Sequence, residues 1–360
     1  MKNKIKIGIN GFGRIGRMVF RASLLNDDIE VVAINDLVEV DYLAYLLKYD
    51  STHPTLKLDI RTENNTLIVN RSRINVSSES DISKINWQES GVEFVVESTG
   101  RFLTYESAKK HITSGANKVI ISAPSKDDTP MFVYGVNHNK YSADMSVISN
   151  ASCTTNCLAP ILKVIDEKFG VSNGMMSTIH SVTSTQNSID GMNSKNWRLG
   201  RGGFQNIIPS TTGATKALSK ILPNMKDKIT GMSFRVPVAN VSVVDLTLNL
   251  NKKTDYKSIC DTVKMASENE LEGILGFTNE DLVSSDFNYD TRTCIFDAKA
   301  GMMLGDDLVK LVCWYDNEFA YSNKIIEMIR HIYNCDTLPT IDNIENKRIS
   351  NNPVSYTHLT

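Results

Sequence analysis

The chain has 360 residues, 41% apolar and 22% charged, with a formal net charge of −2; this is an ordinary globular composition, too long for one typical core, and predicts two domains. The charge balance argues against a general nucleic-acid binder, so no dedicated nucleic-acid site is expected. No apolar run reaches the roughly 20 residues that a spanning helix needs, MKNKIKIGING lacks the apolar core of a secretory signal, and six cysteines are too few for a disulfide scaffold, so no membrane association, reduced thiols and a cytoplasmic location are expected.

Residues 4–11, KIKIGING, alternate as a strand and run into Gly11-Phe12-Gly13-Arg14-Ile15-Gly16. RIGRMVFRASLLN then repeats apolar residues at Ile15, Val19, Ala22 and Leu25, a helical stripe, and IEVVAIND is a second strand ending at Asp36. Together these make one right-handed βαβ unit. A lone glycine triplet of this kind is weak evidence; here it follows a strand, opens a helix, and has a carboxylate 20 residues past Gly16. Gly11 makes the tight turn, Gly13 admits a pyrophosphate against backbone, and Gly16 lets helix and strand pack closely. The helix start, at Arg14 and Ile15, offers its N–H groups to phosphate. Asp36 can accept from both ribose hydroxyls and repels a 2′-phosphate, which favours NAD over NADP.

Further strands are expected in 91–100, 117–124 and 145–152, each ending in small polar residues. In a parallel sheet ligands sit outside the carboxyl ends of the strands, so Ser98, Thr99, Gly100, Ser122 and Ala123 should line one crevice. Residues 104–116 read as one helix, capped by Thr104 and stopped near Gly115.

SNASCTTNCLAPILKVIDEKFG passes from strand into an amphipathic helix with Leu158, Ile161, Leu162, Ile165 and Phe169 on one face and Gly170 at its end. Cys153 falls at the junction, where helix N–H groups stabilise a thiolate, the reactive form. Ser152 and Thr154 surround it with hydroxyls suited to anions. Cys157, one turn on, reads as a small inert hydrophobe. GMMSTIHSVTSTQ is a strand-like run delivering His180 before a polar loop, an arrangement that suits a Cys/His pair, although position alone reads His180 more readily as a surface or satisfied core histidine.

Beyond residue 150 long alternating strands are expected at 228–238, 240–250, 291–300 and 307–316, forming a largely antiparallel sheet with one face covered. PSTTGATKALSKIL and YKSICDTVKMASENE would pack on it, and EFAYSNKIIEMIRHIY is a last helix with Ile325, Ile329 and Ile332 on one stripe. The fold class is therefore α/β: a doubly wound Rossmann-type dinucleotide domain plus an α+β catalytic domain. Residues 338–360, rich in Asn, Thr, Ser and Pro, read as a disordered or artefactual tail and are excluded, with His358, from site reasoning.

From IGINGFGRIGR through SNASCTTNCLAP, WYDNEF and YSN, over residues 4 to about 333, the chain resembles phosphorylating glyceraldehyde-3-phosphate dehydrogenases. The resemblance implies that Cys153 is the nucleophile, His180 its base and Cys157 a bystander. It implies that Thr183 and Arg235, with Arg198 assisting, hold the phosphate of glyceraldehyde 3-phosphate, and that Ser152, Thr154, Thr212 and Gly213 hold inorganic phosphate. Read without it, the hydroxyls are turn or cap residues and Arg198 lies on a flexible excursion. Asn317 would hold the nicotinamide carboxamide; otherwise it is a turn asparagine. The implied organisation is an NAD-binding domain over 1–151, joined by the helix 318–333, a catalytic domain over 152–317, and a homotetramer without a metal site. Three residues depart from the family: Ser80 for an arginine beside the adenine, Met192 for a proline, and Ala320 for a glycine, where strain is expected if φ is positive. Rival readings are an erythrose-4-phosphate dehydrogenase, an NADP-preferring homologue opposed by Asp36, and a non-catalytic NAD-binding protein opposed by the presence of Cys153 and His180.

Overall fold

The structure, a computed structural model, describes residues 4–184, 186–194 and 196–337; the expected tail over 338–360 lies outside the described residues. The first half carries β1 (Ile5–Asn10), β2 (Ile29–Asn35), β3 (Ile60–Glu63), β4 (Thr66–Val69), β5 (Ser72–Ser77), β6 (Phe94–Glu97), β7 (Lys118–Ile121) and β8 (Val147–Ser149), in one sheet ordered β3-β4-β5-β2-β1-β6-β7-β8. From β5 to β8 every pairing is parallel, while β3 and β4 add an antiparallel meander at one edge. The order reverses at β1, and the parallel strands are apolar on both faces because both faces are covered.

Helices α1 (Arg14–Ser23), α2 (Val40–Lys48), α3 (Tyr105–Ala108) and α4 (Lys110–Thr113) connect these strands. The single helix expected over 104–116 is therefore two short pieces. Thr104 caps the first as expected, and Gly115 ends the second in the left-handed region at φ +103. Between them the Ile112 N–H bonds the Lys109 carbonyl, a tighter turn that accompanies the burial of His111 between Trp87 and Glu97.

The second half carries α5 (Cys153–Phe169), α6 (Ala214–Ile221) and α7 (Tyr256–Glu268) on one face of a second sheet. Its strands are β9 (Val171–His180), β10 (Ile208–Thr211), β11 (Ile229–Arg235), β12 (Ser242–Leu250), β13 (Leu275–Thr278), β14 (Cys294–Asp297), β15 (Met302–Leu304) and β16 (Leu308–Tyr315), ordered β10-β11-β9-β12-β16-β14-β13 with β15 on β16. Only the β11–β9 and β13–β14 pairings are parallel. The expected alternation is present: along β16 every second residue is buried against the helices. The predicted face of α5 is wholly or nearly buried there, each Leu or Ile contributing about 1.5–3 kcal/mol.

The last helix, α8 (Phe319–Thr337), crosses back. Ile325, Ile326 and Ile329 share a core with Met18, Val19 and Phe20 of α1 and with the first sheet. No helix among the described residues is long and apolar enough to cross a membrane.

Candidate active site

The carboxyl ends of β1, β2 and β6 open on a cleft lined by Gly11, Gly13, Arg14, Ile15, Asp36, Ser98 and Thr99, all expected there, by Ser80, expected beside the adenine, and by Glu79, Arg101 and Phe102. The glycines have distinct reasons. A side chain on Gly16 would begin 2.1 Å from the Gly11 carbonyl oxygen, so only glycine lets α1 pack on the turn. At Gly13 a Cβ meets nothing within 4 Å, and no side chain caps α1, so the first-turn N–H groups face open space wide enough for a pyrophosphate. Asp36 accepts from the Phe12 N–H at 2.6 Å and the Val38 N–H at 3.2 Å, which fixes its carboxylate at the rim. These features fit a dinucleotide.

Beneath the cleft, Trp87 Nε1 donates to His111 Nδ1 at 3.0 Å, so His111 must donate through Nε2 to Glu97, also 3.0 Å away. Glu97 in turn accepts from Asn10 Nδ2 at 2.6 Å, and Asn10 Oδ1 accepts from Asn35 at 2.8 Å. This satisfied chain supports the ends of three adjacent strands. The Arg14 side chain has a further role beside the place of its backbone in the cleft. Its guanidinium is engaged by Asp50 at 2.6 Å and by both oxygens of Glu318, so it braces the start of α1 to the start of α8. Burial raises the Glu318 carboxyl, but hydrogen bonds from Arg14 and His53 and the Arg14 charge hold it below the usual range.

A second cleft adjoins the first and gathers Ser122, Ser152, Cys153, His180, Thr183, Arg235 and Asn317. Cys153 opens α5, and the Ser152 hydroxyl caps that helix by accepting the Thr155 N–H at 3.1 Å. Ala151, just before, is held at φ +56, with its carbonyl pinned by Tyr321 Oη at 2.8 Å. Cys153 Sγ lies 3.6 Å from His180 Nε2 at the end of β9. The parallel register of β11 sets Arg235 directly beside His180, with Nη1 2.7 Å from Nδ1. Asn317 Oδ1 accepts from Ser181 Oγ at 2.9 Å and Ser242 Oγ at 2.8 Å, which leaves its NH2 as the free donor.

Burial, and then the Arg235 charge, push His180 down to about 3, so the imidazole is neutral at physiological pH. Burial raises the Cys153 thiol, while the Arg235 charge and hydrogen bonding to Thr154 pull it back. The 17-residue helix starting at Cys153 acts in the same direction as these donors. Cys157 is fully buried and pushed up by burial with no nearby cation, an inert thiol.

Some expected residues lie outside the lining of this cleft. The Thr154 hydroxyl faces the core, 3.0 Å from Tyr315 Oη. Thr212 accepts the Ala214 N–H at 3.2 Å, and Gly213 caps α6; neither lines the cleft. Arg198 stands exposed on a short turn at Trp197–Gly200, also outside it. Gly100 is absent from either lining, whereas Ala123 lies beside Ser122 as expected. Ala320 lies within α8 and outside the positive-φ set, so the expected strain is not there. Sequence reasoning missed Ser181, Ser242, Glu318 and Tyr315, because only the pairing of β9, β12 and β16 and the return of α8 bring them together.

Residues 5–105 match the family model described as glyceraldehyde 3-phosphate dehydrogenase, NAD binding domain, and residues 152–317 match its C-terminal domain. Glyceraldehyde-3-phosphate dehydrogenase A of Escherichia coli (strain K12) is 56% identical over 328 residues, 91% of this chain and 99% of its own length. The glyceraldehyde-3-phosphate dehydrogenase of Haemophilus influenzae is 56% identical over 335 residues, 92% of this chain and 98% of its own length. With two sheets, a dinucleotide cleft and a cysteine–histidine pair placed as described, the chain belongs to the glyceraldehyde 3-phosphate dehydrogenase family.

Proposed function

We propose that the protein oxidises glyceraldehyde 3-phosphate to 1,3-bisphosphoglycerate with NAD and inorganic phosphate, through a thioester on Cys153. The observation that carries this reading is the 3.6 Å approach of Cys153 Sγ to His180 Nε2 at a helix N-terminus, in a cleft shared with Asn317. The relatives named above favour the triose substrate over erythrose 4-phosphate, and Asp36 at the rim favours NAD over NADP.

NAD, when bound, supplies the hydride acceptor; Gly11, Gly13, Ile15, Asp36, Thr99 and the first-turn N–H groups of α1 would hold it, with the Asn317 NH2 turned to its carboxamide. The Cys153 thiolate adds to the aldehyde carbon, forming a C–S bond as the carbonyl π pair moves onto oxygen, and that oxygen takes up the proton that the thiol gave up, which completes a hemithioacetal. His180 Nε2 takes the hydroxyl proton as the hydride leaves that carbon, which becomes a thioester carbonyl. The Cys153 N–H and the protonated His180 stabilise the oxyanion. An oxygen of inorganic phosphate then attacks the carbonyl, the C–S bond breaks, and the acyl phosphate leaves with the thiolate restored.

Arg235 and Thr183 grip the substrate's phosphate from inside the cleft, where a guanidinium offers paired donors. Arg198 assists from the excursion after β9, and Ser152, Thr212 and Gly213, with Thr154 through its backbone, serve inorganic phosphate. Residues 1–151 with the helix 318–333 act as the NAD-binding domain and 152–317 as the catalytic domain. The exposed Ile189, Met192, Trp197, Phe204 and Ile207 on one excursion suit burial between copies in a homotetramer, working in the cytoplasm.

The test is a trap. NAD-loaded protein mixed with glyceraldehyde 3-phosphate without inorganic phosphate should give one burst of reduced cofactor and an acylated Cys153 by mass spectrometry. A burst with no acyl group on that peptide would refute the thioester.

A further inference from the structure

Two arginines line the cleft at the carboxyl ends of β1, β2 and β6, and they stand in opposite states. Arg14 is committed to Asp50 and Glu318. Arg101 is exposed, and among the described residues its guanidinium makes no ion pair and no hydrogen bond. Yet the turn that carries it is firmly held. The Arg101 N–H donates to Thr99 Oγ1 at 3.1 Å, and the Thr99 N–H and hydroxyl both donate to Glu97, the N–H at 2.8 Å. Glu97 is buried and bonded in turn to Asn10 and His111. Gly100 makes the bend at φ +69, a conformation open to glycine at no steric cost. Phe102 follows, its ring edge-to-face with His111 at a centroid distance of 6.3 Å. A cation without a partner therefore springs from a fixed point on the cleft wall.

Its ligand follows from the order of groups along a dinucleotide. In the proposed arrangement the first turn of α1 takes the pyrophosphate and Asp36 takes the adenosine ribose, so the adenine on that ribose fills the part of the cleft beyond Asp36. Leu37 and Ser80 border that part from the ends of β2 and β5, and Arg101 and Phe102 border it from the end of β6. Leu37 is 56% exposed, an apolar side chain open to a flat partner, and Ser80 carries no charge. A purine presents two π faces, which suit an apolar wall on one side and a planar guanidinium on the other. We infer that Arg101 closes over the adenine of the bound cofactor with its guanidinium stacked on the base. This rests on the reading that sets the adenosine ribose at Asp36. The base strips water from the guanidinium as it docks, and desolvation is what makes such a contact count. Arg101 thereby grips the end of the cofactor that does not react.

Displacement of NAD from the loaded full-length protein by adenosine and by AMP reads the contact. Adenosine carries the base and the ribose with no charge, so pairing with phosphate cannot contribute to its affinity. Arg101→Ala should weaken adenosine and AMP by the same factor, about 3- to 10-fold. The melting temperature of the unloaded variant should match the native one, because the side chain has no partner to lose. Arg101→Lys keeps the charge and loses the plane, so it should recover little of the affinity. AMP weakened with adenosine unmoved would put Arg101 on phosphate and overturn the stack, and so would full adenosine affinity in Arg101→Lys. Asp36→Ala separates the underlying reading. Adenosine affinity unmoved in that variant removes the ribose from Asp36, and with it the ground for placing the base. Adenosine weakened in Asp36→Ala but unmoved in Arg101→Ala sinks the stack alone.

Discussion

Tyr315 holds Thr178 at 2.8 Å through its hydroxyl, and the same oxygen meets Thr154 Oγ1 at 3.0 Å. Thr154 follows Cys153 on α5 and Thr178 lies two residues before His180 on β9, so one buried phenol ties the nucleophile's helix to the base's strand. Burial raises the Tyr315 phenol well above its ordinary value, which keeps it protonated throughout the working range.

Tyr315→Phe should therefore do two things. It strands two buried threonine hydroxyls, which costs about 1–3 kcal/mol of stability. It also loosens the Cys153–His180 distance, so kcat should fall severalfold while KM for NAD stays put. A lower melting temperature with unchanged kcat would show that the tie is structural only.

Asp36 should govern cofactor choice. Asp36→Ala removes the acceptor for the ribose hydroxyls and frees the Phe12 and Val38 N–H groups that it now fixes. We expect kcat/KM with NAD to drop about 10- to 100-fold, a loss of about 1.4–3 kcal/mol, with NADP less affected. Equal losses with both cofactors would mean that Asp36 shapes the turn without reading the ribose.

His180 makes a pH prediction whose sign is fixed by burial. Its pKa is about 3 when folded and near 6.5 when unfolded, so on acidification the unfolded chain takes the proton first. Stability is intact above about pH 6.5 and declines towards about pH 3, with about 2 kcal/mol lost between pH 7 and pH 5 on this account. His138 is pushed down to about 4 by burial and then by His331, and acts in the same direction. Urea unfolding of native protein and His180→Asn at both pH values isolates the His180 share. Identical pH slopes would show that His180 is not held neutral.

Much of this molecule was legible in its sequence because local chemistry and tertiary role coincide at the same residues. The turn at Gly11 needs positive φ and Gly16 must touch a carbonyl, so the glycine spacing reports backbone geometry directly. The stripe from Leu158 to Phe169 reports a helix with a covered face. The meander β3–β4–β5 escaped notice because its strands are short and partly exposed, although its turns at Asn64 and Asn70, with φ +50 and +54, fall on residues that favour that conformation. The Thr154 hydroxyl was expected at an anion, yet a core tyrosine holds it; no local signal encodes that. Arg235 beside His180 likewise comes from a parallel pairing between strands about fifty residues apart, where register decides contact.

The central claim is a phosphate-dependent oxidation carried by Cys153. Its most direct test is steady-state formation of reduced nicotinamide from glyceraldehyde 3-phosphate and NAD, with and without inorganic phosphate, for native protein, Cys153→Ser and Cys157→Ala. Turnover should be fast and require phosphate in native protein, be absent in Cys153→Ser, and run at near-native rates in Cys157→Ala. Sustained turnover without phosphate, or activity surviving in Cys153→Ser, would contradict it.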